Sequence, residues 1–125
     1  MAANTAFEAI TKRLAYYTNA AIAKYHGVQW AADGTLELAD GTKPFAGIVE
    51  YGTDAANEMA TVVMGIFPGI AKNANLAKGT YVTFEGGLLV EAASGTAALG
   101  ITLSAGSKAN DLVGVSLFDA PYKVS

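Results

Sequence analysis

The chain uses one glycine pattern twice. "ELADGTKPFAGI" at residues 37–48 is answered by "EAASGTAALGI" at 91–101. The match extends over 21–64 and 75–117. Ala23-Lys24 answers Ala77-Lys78, Val28 and Trp30 answer Val82 and Phe84, and Gly34 answers Gly87. Gly41-Thr42 answers Gly95-Thr96, Gly47-Ile48 answers Gly100-Ile101, and Ala56-Asn57 answers Ala109-Asn110. The offset is 54 residues early and 53 late. Matched glycines imply matched turns, and matched apolar positions imply matched core positions. Two copies are too few for a solenoid. The expectation is one closed unit with a pseudo-twofold, each half covering the other's apolar face.

Within each copy the apolar residues alternate. "GVQW" and "YVTF" place Val28 and Trp30, or Val82 and Phe84, on one face, and "MATVVMGIF" and "LVGVSLF" continue the pattern. "ADG", "DGT", "EGG", "SGT" and "AGS" supply turns between these runs. The fold class expected is all-β, a compact sandwich or barrel spanning residues 20–125 as a single domain. Asn57 and Asn110 are expected in turn conformations before the last strand of each copy. The N-terminal segment, 1–19, reads differently. Thr5 and Glu8 stand at capping-box spacing. Phe7, Ile10, Leu14 and Tyr17 follow a helical stripe. No counterpart is recognised before the second copy, so the segment is expected to be an added, partly helical arm.

Composition narrows the function. A chain of 125 residues holds one domain and needs no disulfide or metal staple. It has no cysteine, which removes thiolate metal sites and cysteine nucleophiles. Its net charge is −3, and no basic stretch offers the field that nucleic-acid binding needs. The longest apolar run, "VVMGIFPGI", is too short and too broken to span a bilayer as a helix. Glu8, Lys12 and Arg13 interrupt the N-terminus where a signal peptide would be apolar. Neither a nucleic acid nor a membrane is expected as a partner. Charged residues form only 15% of the chain, well under the usual quarter of a soluble domain. A surface so poor in charge fits either a small alanine-rich domain or one covered by another protein.

Catalytic patterns are scarce. His26 is the only histidine, and no GxSxG elbow accompanies it. Asp33, Asp40 and Asp54 are widely spaced turn residues outside any calcium-loop pattern. "EGGLLVEAASG" lacks the spacing and the lysine of a phosphate loop. Glu37 and Glu50 could face each other across a hairpin, as any strand acids could. A lipoyl or biotinyl carrier would need a flanked hairpin lysine, and Lys43 in "DGTKPF" lacks the flank. No catalytic residue, metal ligand or cofactor is expected, and the chain is read as a non-enzyme.

The stretch "AKGTYVTFEGGLLVEAASGTAALGITLSAGSKANDLVGVSL" resembles the C-terminal half of head-decoration proteins, or capsid cement proteins, of tailed bacteriophages. The resemblance rests on Ala77 to Val82, Gly87 to Gly95, Gly100-Ile101 and Asp111 to Leu117, with a looser version in the first copy. It excludes the N-terminal arm. It implies a protein made in the host cytoplasm that binds the outer surface of the virion head and clamps adjacent major capsid proteins, commonly as a trimer. On that reading the capsid-facing residues are Phe7, Ile10, Leu14, Tyr16 and Tyr17, with Lys12 and Arg13 steering toward an acidic patch. The alternative is a virion-surface module that binds host glycans, for which Trp30, Tyr51 and Tyr81 are the aromatic candidates.

Overall fold

The computed structural model describes residues 8–125. Every regular element among them is a strand: β1 (Ala9–Tyr17), β2 (Gly27–Trp30), β3 (Leu36–Leu38), β4 (Phe45–Tyr51), β5 (Met59–Ile70), β6 (Tyr81–Glu85), β7 (Leu88–Glu91), β8 (Ala97–Thr102) and β9 (Leu112–Lys123). They form a single sheet curled into a half-barrel, in the order β3-β2-β4-β5-β9-β8-β6-β7, with β1 paired to β5. The all-β class agrees with the alternation. The architecture is one curled sheet rather than two stacked ones.

Among the described residues the expected N-terminal helix is replaced by a strand. Residues 9–17 run as a strand antiparallel to β5, from Tyr17 opposite Met59 to Ala9 opposite Ile66. The helical stripe was a coincidence of spacing. An isolated helix of that length is marginal in water, whereas β5 offers a row of unpaired backbone groups that any extended segment can satisfy. Ile10, Thr11 and the Tyr16–Tyr17 pair also favour extended backbone. Thr5 and Phe7, which completed the helical signature, lie outside the described residues.

The strand pairings recur along the chain. Trp30↔Leu36 in the β2–β3 hairpin has its counterpart in Phe84↔Leu89 of β6–β7. Val28↔Gly47 corresponds to Val82↔Gly100, and Ile48↔Val63 to Ile101↔Ser116. Arg13↔Val63 through Tyr17↔Met59 corresponds to Ile66↔Ser116 through Ile70↔Leu112. So β1 has a counterpart after all, and it is β5. Asn57 and Asn110 both take positive φ, 65° and 70°. Asparagine tolerates that region because its side chain is short and polar. The acids that follow close these turns alike: Glu58 accepts the N–H groups of Asp54 and Ala55, and Asp111 accepts those of Ser107 and Lys108.

The main core draws on both halves, joining Ala39, Ile48 and Val63 to Phe67, Phe84, Leu89, Val113 and Val115. A smaller cluster of Ile22, Val28, Leu36, Val49 and Val62 serves the first half and is bordered by Trp30. Aromatic and backbone contacts lock the halves together. Phe45 stacks on Phe84 with centroids 4.9 Å apart, Tyr25 covers Phe67 at 5.8 Å, and the Gly27 N–H donates to the Gly87 carbonyl at 2.8 Å. A side chain at Gly27 would overlap the Phe84 ring, so only glycine allows this approach.

One buried polar side chain organises the first half. Gln29 is fully buried. Its amide donates to Glu37 at 2.6 Å and to Asp40 at 2.9 Å, and its carbonyl accepts the Asp40 N–H at 3.1 Å. Lys43 completes the group with an ion pair to Glu37 at 3.0 Å. Every polar atom of Gln29 thus has a partner, which is the condition for burying it at modest cost. Asp40 also accepts the Thr42 hydroxyl and N–H. The Thr42 hydroxyl, then its N–H, then Gln29 hold the Asp40 carboxyl down from 3.8 to about 2.

Two outcomes follow from this packing. Gly27→Ala forces its methyl into the Phe84 ring, and denaturant titration should show stability reduced by about 1–3 kcal/mol, the usual cost of overpacking. Asp40 is favoured as carboxylate in the fold, so its contribution is complete above its ordinary pKa and is lost as pH falls through about 2. Urea midpoints of wild type and Asp40→Asn should therefore differ at neutral pH and converge as pH falls from 3.8 to about 2.

Candidate functional site

β1 is an unusual strand because almost nothing covers it. Of its nine residues only Ile10 is partly buried. It is held by its ladder to β5 and by one ion pair. Arg13 Nε donates to Glu50 Oε1 at 2.7 Å and Nη2 to Oε2 at 3.0 Å, a bidentate fork between β1 and β4. The fork lowers the Glu50 pKa and raises that of Arg13, in both cases chiefly through the hydrogen bond. A register shift between Ile10 and Lys12 bulges the strand near its start.

Beside β1 lies an open groove of about 450 Å³. It is lined by Lys12, Arg13 and Leu14 of β1, by Trp30, Phe45, Ala46, Val62 and Met64, and by Asp119. A second depression of about 400 Å³ shares Phe45, Met64 and Asp119 and continues to Leu99, Phe118 and Pro121. Tyr16 meets Trp30 edge to face, with centroids 5.4 Å apart. A separate aromatic group, Tyr81, Phe118 and Tyr122, sits on the second half, with Tyr81 and Tyr122 5.0 Å apart. A mainly apolar lining with few charged residues can accept apolar side chains of another protein. Among the described residues, no three of His, Asp and Glu stand together as metal ligands would. His26 lies away from the groove, with Nδ1 3.2 Å from the Lys24 carbonyl.

The structure places the sequence candidates unevenly. Ile10 packs against the main core, and Arg13 is occupied by Glu50. Lys12 and Leu14 line the groove. Tyr16 leans on Trp30, and Tyr17 is 49% exposed. Phe7 lies outside the described residues. Of the aromatic alternatives, Trp30 borders the groove, Tyr51 stands exposed on β4, and Tyr81 belongs to the second aromatic group. Phe45, Met64 and Asp119 were not singled out from sequence. Phe45 carried a signal, since the repeat sets it against the much smaller Ala98.

No protein-family model matches the chain, and no curated protein does. Among solved structures it is similar to the N base of the head fiber gp8.5 in bacteriophage phi29. The two share 12% sequence identity with a TM-score of 0.69, over 90% of this chain and 98% of that one. At that identity the likeness is one of fold.

Proposed function

We propose that this chain is a structural protein of a tailed-phage virion, a non-enzyme that binds the outer surface of the capsid. It stabilises the mature head by clamping adjacent major capsid subunits, and it acts as a trimer built from a duplicated unit. The observation that carries the reading is β1: a nine-residue strand exposed on both faces beside an apolar groove. The likeness in fold to a phage head fiber base supports the setting. So does the sequence resemblance to cement proteins.

The physics suits the task. A filled head is under outward load, and a clamp across several subunits raises the cost of separating any one. Contacts of modest strength suffice when an oligomer engages several points at once. Ile10 and Arg13 hold β1 to its own sheet. Lys12, Leu14, Tyr16 and Tyr17 remain to meet other molecules. Alternation sets Tyr17 on the face opposite Leu14 and Tyr16, so Tyr17 is the anchor assigned to the shell.

The test is co-sedimentation of purified protein with heads of the parent phage that lack it. Wild type should bind. Tyr17→Asp, an exposed substitution that leaves the β fold intact by circular dichroism, should bind at least about tenfold more weakly. Equal binding by the variant removes Tyr17 as an anchor, and heads that take up no wild-type protein end the capsid reading.

A further inference from the structure

We infer that the outer edge of β1 receives an extended segment of the major capsid protein as an added strand, held by main-chain hydrogen bonds. The inference rests on the capsid reading for the identity of the partner and on β1 itself for the mode of contact. Among the described residues β1 pairs with β5 alone. The Thr18 N–H donates to the Glu58 carbonyl, and the Thr18 carbonyl accepts the Asn57 N–H, so Thr18 turns its main chain toward the β5 side. In an antiparallel ladder this orientation alternates from residue to residue. Tyr16 and Leu14 therefore face β5 as well, and Arg13, Ala15 and Tyr17 turn their N–H and C=O groups to the other side. β3 closes on the chain just past β1, through the Thr18–Leu36 bridge.

The same strand position recurs twice more, and there its edge is blocked. Arg13 to Tyr17 correspond to Ile66 to Ile70, so Ala15 corresponds to Pro68 of β5. The same spacing leads on to Pro121 of β9. The Ala71 N–H donates to the Asp111 carbonyl, which by alternation turns the Pro68 nitrogen away from β9. The Val124 N–H donates to the Thr96 carbonyl, which likewise turns the Pro121 nitrogen away from β8. Each proline stands where its strand would otherwise present an unpaired donor, and it has none to present. Proline at such a place discourages pairing with another chain. Of the three positions, Ala15 alone keeps its N–H. A second copy of the chain offers a poor match, since β3 is bridged by Thr18, β7 by Ala71, and the edge of β9 carries Pro121.

A row of donors and acceptors without partners fits the backbone of an extended segment, and the neighbouring side chains set what that segment carries. Leu14, Trp30 and Met64 line the groove beside β1. A further crevice of about 350 Å³ runs from Ala9 and Thr11 to Leu117 and Asp119 of β9. The added strand therefore bears apolar side chains toward the groove. Lys12 borders both depressions and makes no ion pair among the described residues, so a carboxylate on the added strand complements it. The bulge between Ile10 and Lys12 breaks the ladder near the start of β1, which leaves Arg13, Ala15 and Tyr17 as the regular pairing row.

Ala15→Pro copies the two blocked edges. The Ala15 N–H has no partner within the chain, so the variant should fold, with circular dichroism and melting temperature close to wild type. In co-sedimentation with heads of the parent phage that lack the protein, it should bind at least about tenfold more weakly. Ala15→Ser keeps the N–H and should bind as wild type does. Hydrogen exchange of the wild type decides the matter even if the proline variant fails to fold. The amides of Arg13, Ala15 and Tyr17 should exchange freely in the unbound protein and become protected on heads. Equal binding by a folded Ala15→Pro, or amides that stay unprotected on heads, overturns strand addition and leaves the capsid reading standing. Protection of these amides in dilute unbound protein means that the chain fills its own edge. Protection that grows with protein concentration means that β1 pairs with a second copy. Either result overturns the inference, and heads that take up no wild-type protein end both readings together.

Discussion

The structure depends on β5. This one strand pairs with β1, with β4 and with β9. Val63 is bonded on both sides, to Arg13 of β1 and Ile48 of β4, and Ile66 meets both β1 and β9. Without β5 the sheet would fall into a three-strand piece, β3-β2-β4, and a four-strand piece, β9-β8-β6-β7, and β1 would lose its strand partner. Its sequence suits the post. Alternation buries Ala60 and Val62, and Val63 and Phe67 are buried on the opposite parity, so the strand presents apolar surface on more than one side. A strand buried this thoroughly satisfies its backbone only by pairing along most of its length, which is why β1 is drawn in as a strand.

That requirement also explains what could be read from the amino acids alone and what could not. The turns were legible, because glycine and asparagine at positive φ answer a local steric demand: Gly34, Gly41, Gly87 and Gly95 all take it. The strands were legible where alternation was strong, as in "GVQW" and "YVTF". β1 was not. Its apolar residues fit a helix as well as a strand, and its conformation is decided by the edge of β5, some fifty residues away in sequence. The candidate groove was half legible. Leu14, Lys12 and Trp30 were noted as single residues, but Phe45, Met64 and Asp119 join them only through the curl of the sheet.

The exposed strand and the groove make different demands on stability. The core needs β1 little, since β1 buries almost none of its side chains. The Arg13–Glu50 fork therefore has a positional role more than an energetic one, as exposed ion pairs usually contribute little. It holds the strand where Leu14 lines the groove. The buried Gln29 group does comparable positioning for Trp30, by tying β2 to the Asp40 turn that leads into Phe45. Polar networks thus fix the two sides of a surface that is otherwise apolar.

The glycine beneath Phe84 has a consequence for how such a chain can change over time. At the matching place in the other half stands a tyrosine, so the two units have become complementary parts rather than spare copies. A gene joining two first units would set Trp30 in place of Phe84 above the bare backbone of residue 27. One joining two second units would thrust a phenol ring into the space that Gly27 keeps clear. Exchange between the halves by recombination is closed off, and each must vary in step with its mate.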